Sequence, residues 1–174
     1  MNVLIRLLLP VITLSLVGTL TGCATSRTVT QSSPGTVTTI VLTRHGDRES
    51  FAKELNNKGQ ARAEALVKAV SDMKITAIYS PDYKRNIDTA KPLAEHLGIE
   101  INVVPENMHQ LATTILTEHP GETVLWVGNK TNLTNLYSLL GGDDVPPISY
   151  GDLYIMKIKD SGNPDVTKKR YGPL

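Results

Sequence analysis

The sequence predicts an α/β fold: a three-layer sandwich with a mostly parallel central sheet, helices on both faces and an antiparallel edge strand. Three observations carry that prediction. From residue 37 onward, short β-branched runs alternate with longer stretches of helical periodicity. The last two strand-like runs follow one another with only a turn between them, which suits an antiparallel edge. The chain has 174 residues, 40% of them hydrophobic and 20% charged, which suits one ordinary globular domain. No internal repeat divides it.

The elements follow in order. Residues 37–42 form an apolar, β-branched run that reads as a buried strand. Ala63, Leu66, Val67 and Val70 fall at helical spacing and predict a helix over residues 60–72. Residues 75–79 read as a second strand. A long helix is expected from Ser80-Pro81-Asp82 to Leu97, ended by Gly98 and kinked at Pro92. Residues 99–104 read as a third strand, residues 110–117 as a weak helix and residues 123–127 as a fourth strand. A helix over 132–140 stops at Gly141-Gly142. Strands near 153–158 and 166–169 close the chain.

The most informative stretch is Thr43-Arg44-His45-Gly46-Asp47-Arg48, just past the first strand. In open α/β sheets, ligands bind beyond the C-terminal ends of the strands. Guanidinium forks match phosphate oxygens bidentately, and imidazole can serve as a nucleophile that forms a covalent intermediate. Gly46 lets the backbone turn sharply there.

Residues 1–22 stand apart from the fold. Arg6 precedes a largely apolar run over 7–20 that is short for a membrane-spanning helix and closes in Leu20-Thr21-Gly22-Cys23. The stretch resembles the signal peptide and lipobox of bacterial lipoproteins, in which the cysteine is acylated and becomes the mature N-terminus. Cys23 is the only cysteine, so no disulfide is possible within the chain. By the same resemblance, Ala24 after the cysteine implies the outer membrane. The expected location is the bacterial cell envelope, lipid-anchored and facing the periplasm. Residues 23–36 comprise the lipidated cysteine and a Ser/Thr-rich flexible tether, and residues 37–174 the domain. Without residues 1–22 the chain carries 17 basic and 17 acidic residues. With no basic stripe, nucleic acid is not an expected partner.

The domain resembles the histidine phosphatase superfamily, also called phosphoglycerate mutase-like, in its short phosphohistidine-phosphatase-like form. The resemblance is carried by Thr43-Arg44-His45-Gly46, by Leu55-Asn56-Asn57-Lys58-Gly59-Gln60-Ala61, by the block from Ile78-Tyr79-Ser80-Pro81-Asp82-Tyr83-Lys84-Arg85 to Ala90, and by Tyr150-Gly151-Asp152-Leu153-Tyr154. It implies that His45 attacks phosphorus and carries the phosphoryl group, with Arg44 and Arg85 clamping its oxygens. Arg48 is a third clamp or a solvated loop charge. Glu106 and Asp47 are the two candidates for the acid that protonates a leaving group. No cofactor is implied, and the histidines offer no close pairs that suggest a metal.

One departure stands out. Where the family has a second pocket histidine after the fourth strand, this chain has Asn129, followed by Lys130. An amide can donate to a phosphoryl oxygen but brings no charge. One oxyanion donor is worth about 3 kcal/mol, near a hundredfold in rate, so an attenuated site is expected. The implied function is a phosphatase acting on a phosphomonoester or phosphohistidine, in a phosphorylated small molecule or a phosphoprotein, while anchored to the membrane through Cys23. The alternative is an inactive pseudo-phosphatase that binds a phosphorylated ligand or partner without turnover. His96, at a helix end, and His119, in a His-Pro-Gly loop, carry no role; His109 is a candidate for the pocket rim, and Trp126 belongs in the core.

Overall fold

The computed structural model describes residues 30–174. The expected signal segment and Cys23 lie outside the described residues. Ten elements follow in the order β1 (Val37–Arg44), α1 (Asn57–Ala69), β2 (Ala77–Ser80), α2 (Lys84–Leu97), β3 (Ile101–Val103), α3 (Met108–Glu118), β4 (Thr123–Gly128), α4 (Lys130–Leu139), β5 (Asp152–Lys159) and β6 (Asp165–Arg170).

The six strands form one sheet in the order β3-β2-β4-β1-β5-β6. The first four are parallel, and β5 runs antiparallel to both β1 and β6. The predicted α/β sandwich, mostly parallel with an antiparallel edge, is therefore the observed one. Its layers follow from the period-two alternation of β1 and β4. Ile40, Leu42, Val124 and Trp126 point to the face covered by α3 and α4. Val41, Leu125 and Val127 point to the face covered by α1 and α2. All seven have no solvent-exposed surface, so both strands read as unbroken apolar runs.

Local signals explain where element ends differ from expectation. Asn56 caps α1 by accepting the Gly59 amide, so the helix starts before residue 60. Asn107 does the same for α3 through the Gln110 amide, and the weak helix expected at 110–117 is a full element from Met108. Pro81 and Asp82 form a turn, and α2 begins only at Lys84; it continues through Pro92 as one helix. Gly98 ends it in the left-handed region at φ 68°.

The last part of the expected tether is not free. Ser32 is buried; its amide donates to the Lys159 carbonyl at 2.9 Å and its hydroxyl is paired with Thr38 Oγ1 at 2.7 Å. Ser32 is thus fastened to the sheet, because serine and threonine hydroxyls satisfy the strand end where apolar residues are lacking. This junction sits at the N-terminal end of β1, opposite the edge where the strand delivers Arg44 and His45.

Candidate active site

β1 and β4 end side by side. Arg44 is in register with Gly128, and the His45 amide donates to the Gly128 carbonyl at 3.0 Å. The loop after β1 is pressed against two helices. The Gly46 amide donates to Thr89 Oγ1 at 2.8 Å, and that hydroxyl donates to the Arg85 carbonyl in α2. A Cβ on Gly46 would lie 2.6 Å from the Gly59 carbonyl oxygen, and one on Gly59 2.1 Å from that of Asp47. Gly46 is therefore required by close backbone approach rather than by a positive φ.

A cleft of about 540 Å³ opens at this edge, lined by Arg44, His45, Arg48, Arg85, Glu106 and Asn129 among others. The residues expected to form the clamp converge. His45 is 2% exposed. Its Nδ1 lies 2.8 Å from the Gly46 carbonyl, which can only accept, so Nδ1 carries the proton and Nε2 keeps its lone pair. Burial first, and then the charges of Arg44, Arg85 and Arg48, push its pKa down to about 4. At neutral pH the ring is uncharged, with the Nε2 lone pair available for nucleophilic attack.

Each arginine is held by one side and left open on another. Arg44 Nη1 donates to the Ile148 carbonyl at 3.0 Å, and its guanidinium carbon lies 3.8 Å from the Tyr150 ring centroid. Arg85 sits 4.5 Å over the Tyr83 ring, while its neighbour Asn86 donates to the Val127 carbonyl at 2.9 Å and so fixes the start of α2 against β4. Arg48 Nη1 donates to the Ala52 carbonyl at 2.8 Å. The Nε of all three is buried without a hydrogen-bond partner. Among the described residues none of the three pairs with a carboxylate. Burial lowers the pKa of Arg44 and of Arg85 from the usual arginine value, and Arg48's charge adds to the effect in both. Desolvated cations with free donors call for an oxyanion. Arg48 belongs to this set rather than to solvent.

Asp47 does not. Its carboxylate turns from the cleft to Arg62, at 2.7 Å from Nε, and Arg62 also donates to the carbonyls of Tyr171 and Pro173. The candidate acid at this position is a structural anion, consumed by a buried partner that the local sequence does not reveal. Glu106 does reach the cleft. Its Oε1 accepts Nδ2 of Asn129 at 2.6 Å and Nδ2 of Asn132 at 2.7 Å, and Oε2 accepts the Tyr83 hydroxyl at 2.9 Å.

Asn129 faces the clamp as expected but has other work as well. Its Oδ1 caps α4 by accepting the amides of Thr131 and Asn132, within a capping box. Its Nδ2 is on Glu106 rather than reserved for a phosphoryl oxygen. Lys130 lines the cleft beside it. His109 is exposed on α3 and lies outside the lining, whereas His119 bonds Tyr79 and Glu122. Trp126 is core.

Sequence reasoning missed Tyr83, Tyr150 and Asn132. The two tyrosines lie inside blocks that carry the family resemblance, but nothing local marks them as supports for arginines. Asn132 reads as an ordinary helical residue, and only its 3% exposure and its four hydrogen bonds to Trp126, Asn129 and Glu106 reveal it.

A doubly covered α/β sheet with a neutral histidine among arginines that lack anionic partners at its C-terminal edge is a site suited to an oxyanion. Residues 40–106 match the model of the histidine phosphatase superfamily (branch 1). That match spans less than half of the chain, covers Arg44, His45 and Arg85, and agrees with the resemblance to the histidine phosphatase superfamily that the sequence suggests. No curated protein matches the sequence. Among solved structures, the fold is similar to the protein histidine phosphatase SixA complexed with tungstate, at TM-score 0.62 and 14% identity over 76% of this chain and 96% of that one. It is also similar to Bacillus stearothermophilus YhfR, at 0.62 and 21% over 75% and 95%. A mycobacterial glucosyl-3-phosphoglycerate phosphatase gives 0.60 and 12% over 79% and 100%.

The Asp47 assignment has a direct check. Asp47→Asn leaves the buried Arg62 without its counter-charge and is expected to cost about 3 kcal/mol or more in denaturant unfolding. An acid catalyst at a solvated loop position would give lost turnover with unchanged stability.

Proposed function

We propose that the chain is a phosphatase that works through a phospho-His45 intermediate. The observation that carries this reading is the pairing of a neutral imidazole, its proton fixed on Nδ1, with three half-buried guanidiniums that lack anionic partners and whose buried Nε atoms have no hydrogen-bond partner. The Nε2 lone pair attacks phosphorus in line as the bond to the leaving group breaks. Arg44, Arg48 and Arg85 take up the charge on the equatorial oxygens. Water then attacks phospho-His45, the P–N pair returns to Nε2, and one water proton passes to solvent. The phosphatases among the structural neighbours support the same type of chemistry.

The intermediate is tested by incubation with labelled phosphoryl donors. Acid-labile phosphate should appear on His45 and be absent in His45→Ala, which should retain oxyanion affinity through the arginines. Because the nucleophile's pKa is depressed to about 4, protonation of Nε2 removes activity only as pH falls through that value. The acid limb of kcat/KM, corrected for ionisation of the substrate, should lie near pH 4 and not near 6.5.

Asn129 is proposed to attenuate the site, because the position brings no positive charge to the phosphoryl oxygens. Asn129→His should raise the chemical step on an aryl phosphate by about tenfold or more, at a cost of about 1 kcal/mol in stability from the lost helix cap. Asn129→Ala should lose the cap and gain nothing. The tethering of Glu106 and Asn129 to each other favours the pseudo-phosphatase alternative. That alternative is adopted if wild type and Asn129→His are both as inert as His45→Ala.

We also propose that the domain is carried on the envelope as a lipoprotein. The support is Leu20-Thr21-Gly22-Cys23 after a short apolar run. Ser32, fastened to Lys159 and Thr38, is at the sheet end opposite His45, roughly 26 Å away by strand length. An anchor there leaves the cleft open to soluble substrates. Wild type should fractionate with membranes and Cys23→Ser should not be acylated; soluble, unlipidated wild type would end this reading.

A further inference from the structure

We propose that the cleft is built for phosphoryl donors whose leaving group departs without a proton, namely acyl phosphates, aryl phosphates and N-phosphorylated imidazoles, in preference to alkyl phosphate esters. The inference rests on the phosphatase reading and adds its substrate class.

Among the described residues, Glu106 is the one carboxylic acid lining the cleft. A general acid must present a proton to the departing atom, and the hydrogen bonds around Glu106 oppose that. Oε1 receives two amide N–H groups, from Asn129 at 2.6 Å and Asn132 at 2.7 Å. Neither amide can reverse to become an acceptor there. The Asn129 oxygen is committed to the amides of Thr131 and Asn132, and the Asn132 oxygen to the Asn129 amide and Trp126 Nε1. A proton on Oε1 would therefore face other donor hydrogens. Oε2 receives the Tyr83 hydroxyl at 2.9 Å, so that phenol's own proton is spent on Glu106. Asn132 is buried and tied to the core through Trp126, which makes the arrangement rigid rather than incidental. Asp47, the other acid of the loop, is consumed by Arg62. The arginines stabilise charge but do not release protons.

The reaction that suits such a cleft balances without an acid. The Nε2 lone pair forms the bond to phosphorus while the bond from phosphorus to the leaving atom breaks. Its electron pair departs as a carboxylate, as a phenolate, or on an imidazole whose other nitrogen already holds a proton. An alkyl ester would have to expel an alkoxide or draw a proton from Lys130, the other proton-bearing cation of the lining besides the arginines.

The test uses the full chain with acetyl phosphate, phosphoimidazole, aryl phosphates of graded phenol pKa, and glycerol 1-phosphate. The expected result is a steep fall of log kcat/KM with leaving-group pKa, with glycerol 1-phosphate lying on or below the extrapolated line. Glu106→Gln should move all aryl donors by a common factor and leave the slope unchanged. The faster of the acyl and N-phosphoryl donors identifies which source the cleft prefers. A shallow slope with glycerol 1-phosphate about a hundredfold or more above the line, and a selective loss of that excess in Glu106→Gln, would overturn the inference while leaving the phosphatase reading intact. No consumption of any donor and no phosphate on His45 would remove the phosphatase reading itself, and this inference with it.

Discussion

Arg62 holds together three parts of the chain that are far apart in sequence. Its guanidinium meets Asp47 from the loop after β1 and the carbonyls of Tyr171 and Pro173 from the C-terminal segment. A charge 3% exposed must have partners, and these partners fix the loop that carries His45. Gly151, at φ 83°, is part of the same arrangement, because a Cβ there would lie 2.4 Å from Arg62 Nη1. The placement of His45 thus depends on an ion pair that lies outside the cleft lining.

The contrast between Arg62 and the cleft arginines is the electrostatic logic of the domain. One buried guanidinium is neutralised by a carboxylate at 2.7 Å and serves structure. Three half-buried others have only carbonyl or aromatic neighbours and unpartnered Nε groups. Leaving charges unpaired costs stability, and the fold meets that cost by stacking Arg44 on Tyr150 and Arg85 on Tyr83, where cation–π attraction offsets part of it. Burial is the first cause of the low pKa of His45, and the same charges add to it. The feature that attracts an oxyanion thus also helps to keep the imidazole uncharged.

What was legible in the sequence tracks how local the cause is. The sheet, its mostly parallel order and the two helical layers follow from hydrophobic periodicity within each segment, and Arg44, His45 and Arg85 follow from a strand end and a resemblance. The start of α3 was obscured because its signal is a single capping side chain, Asn107. The fastening of Ser32 depends on Lys159 and Thr38, and the loss of Asp47 to Arg62 on a contact fifteen residues away. Pairings of that kind are settled by tertiary geometry. A carboxylate in a catalytic loop looks the same in sequence whether it faces substrate or a buried guanidinium.

Asn129 shows how one substitution changes more than the atom it replaces. An imidazole at this position could bring charge to a phosphoryl oxygen. The asparagine instead divides its two ends, the oxygen closing the first turn of α4 and the nitrogen holding Glu106. Asn132 completes the device by donating to the same Glu106 oxygen and accepting the Asn129 amide. Helix start and rim carboxylate thereby become one hydrogen-bonded unit, stiff because each polar atom has an assigned partner. The clamp opposite is rich in charge and open in its donors, while this side is neutral in its amides and closed in its hydrogen bonds. Binding of an oxyanion is favoured by the first side, and the chemistry that can follow is limited by the second.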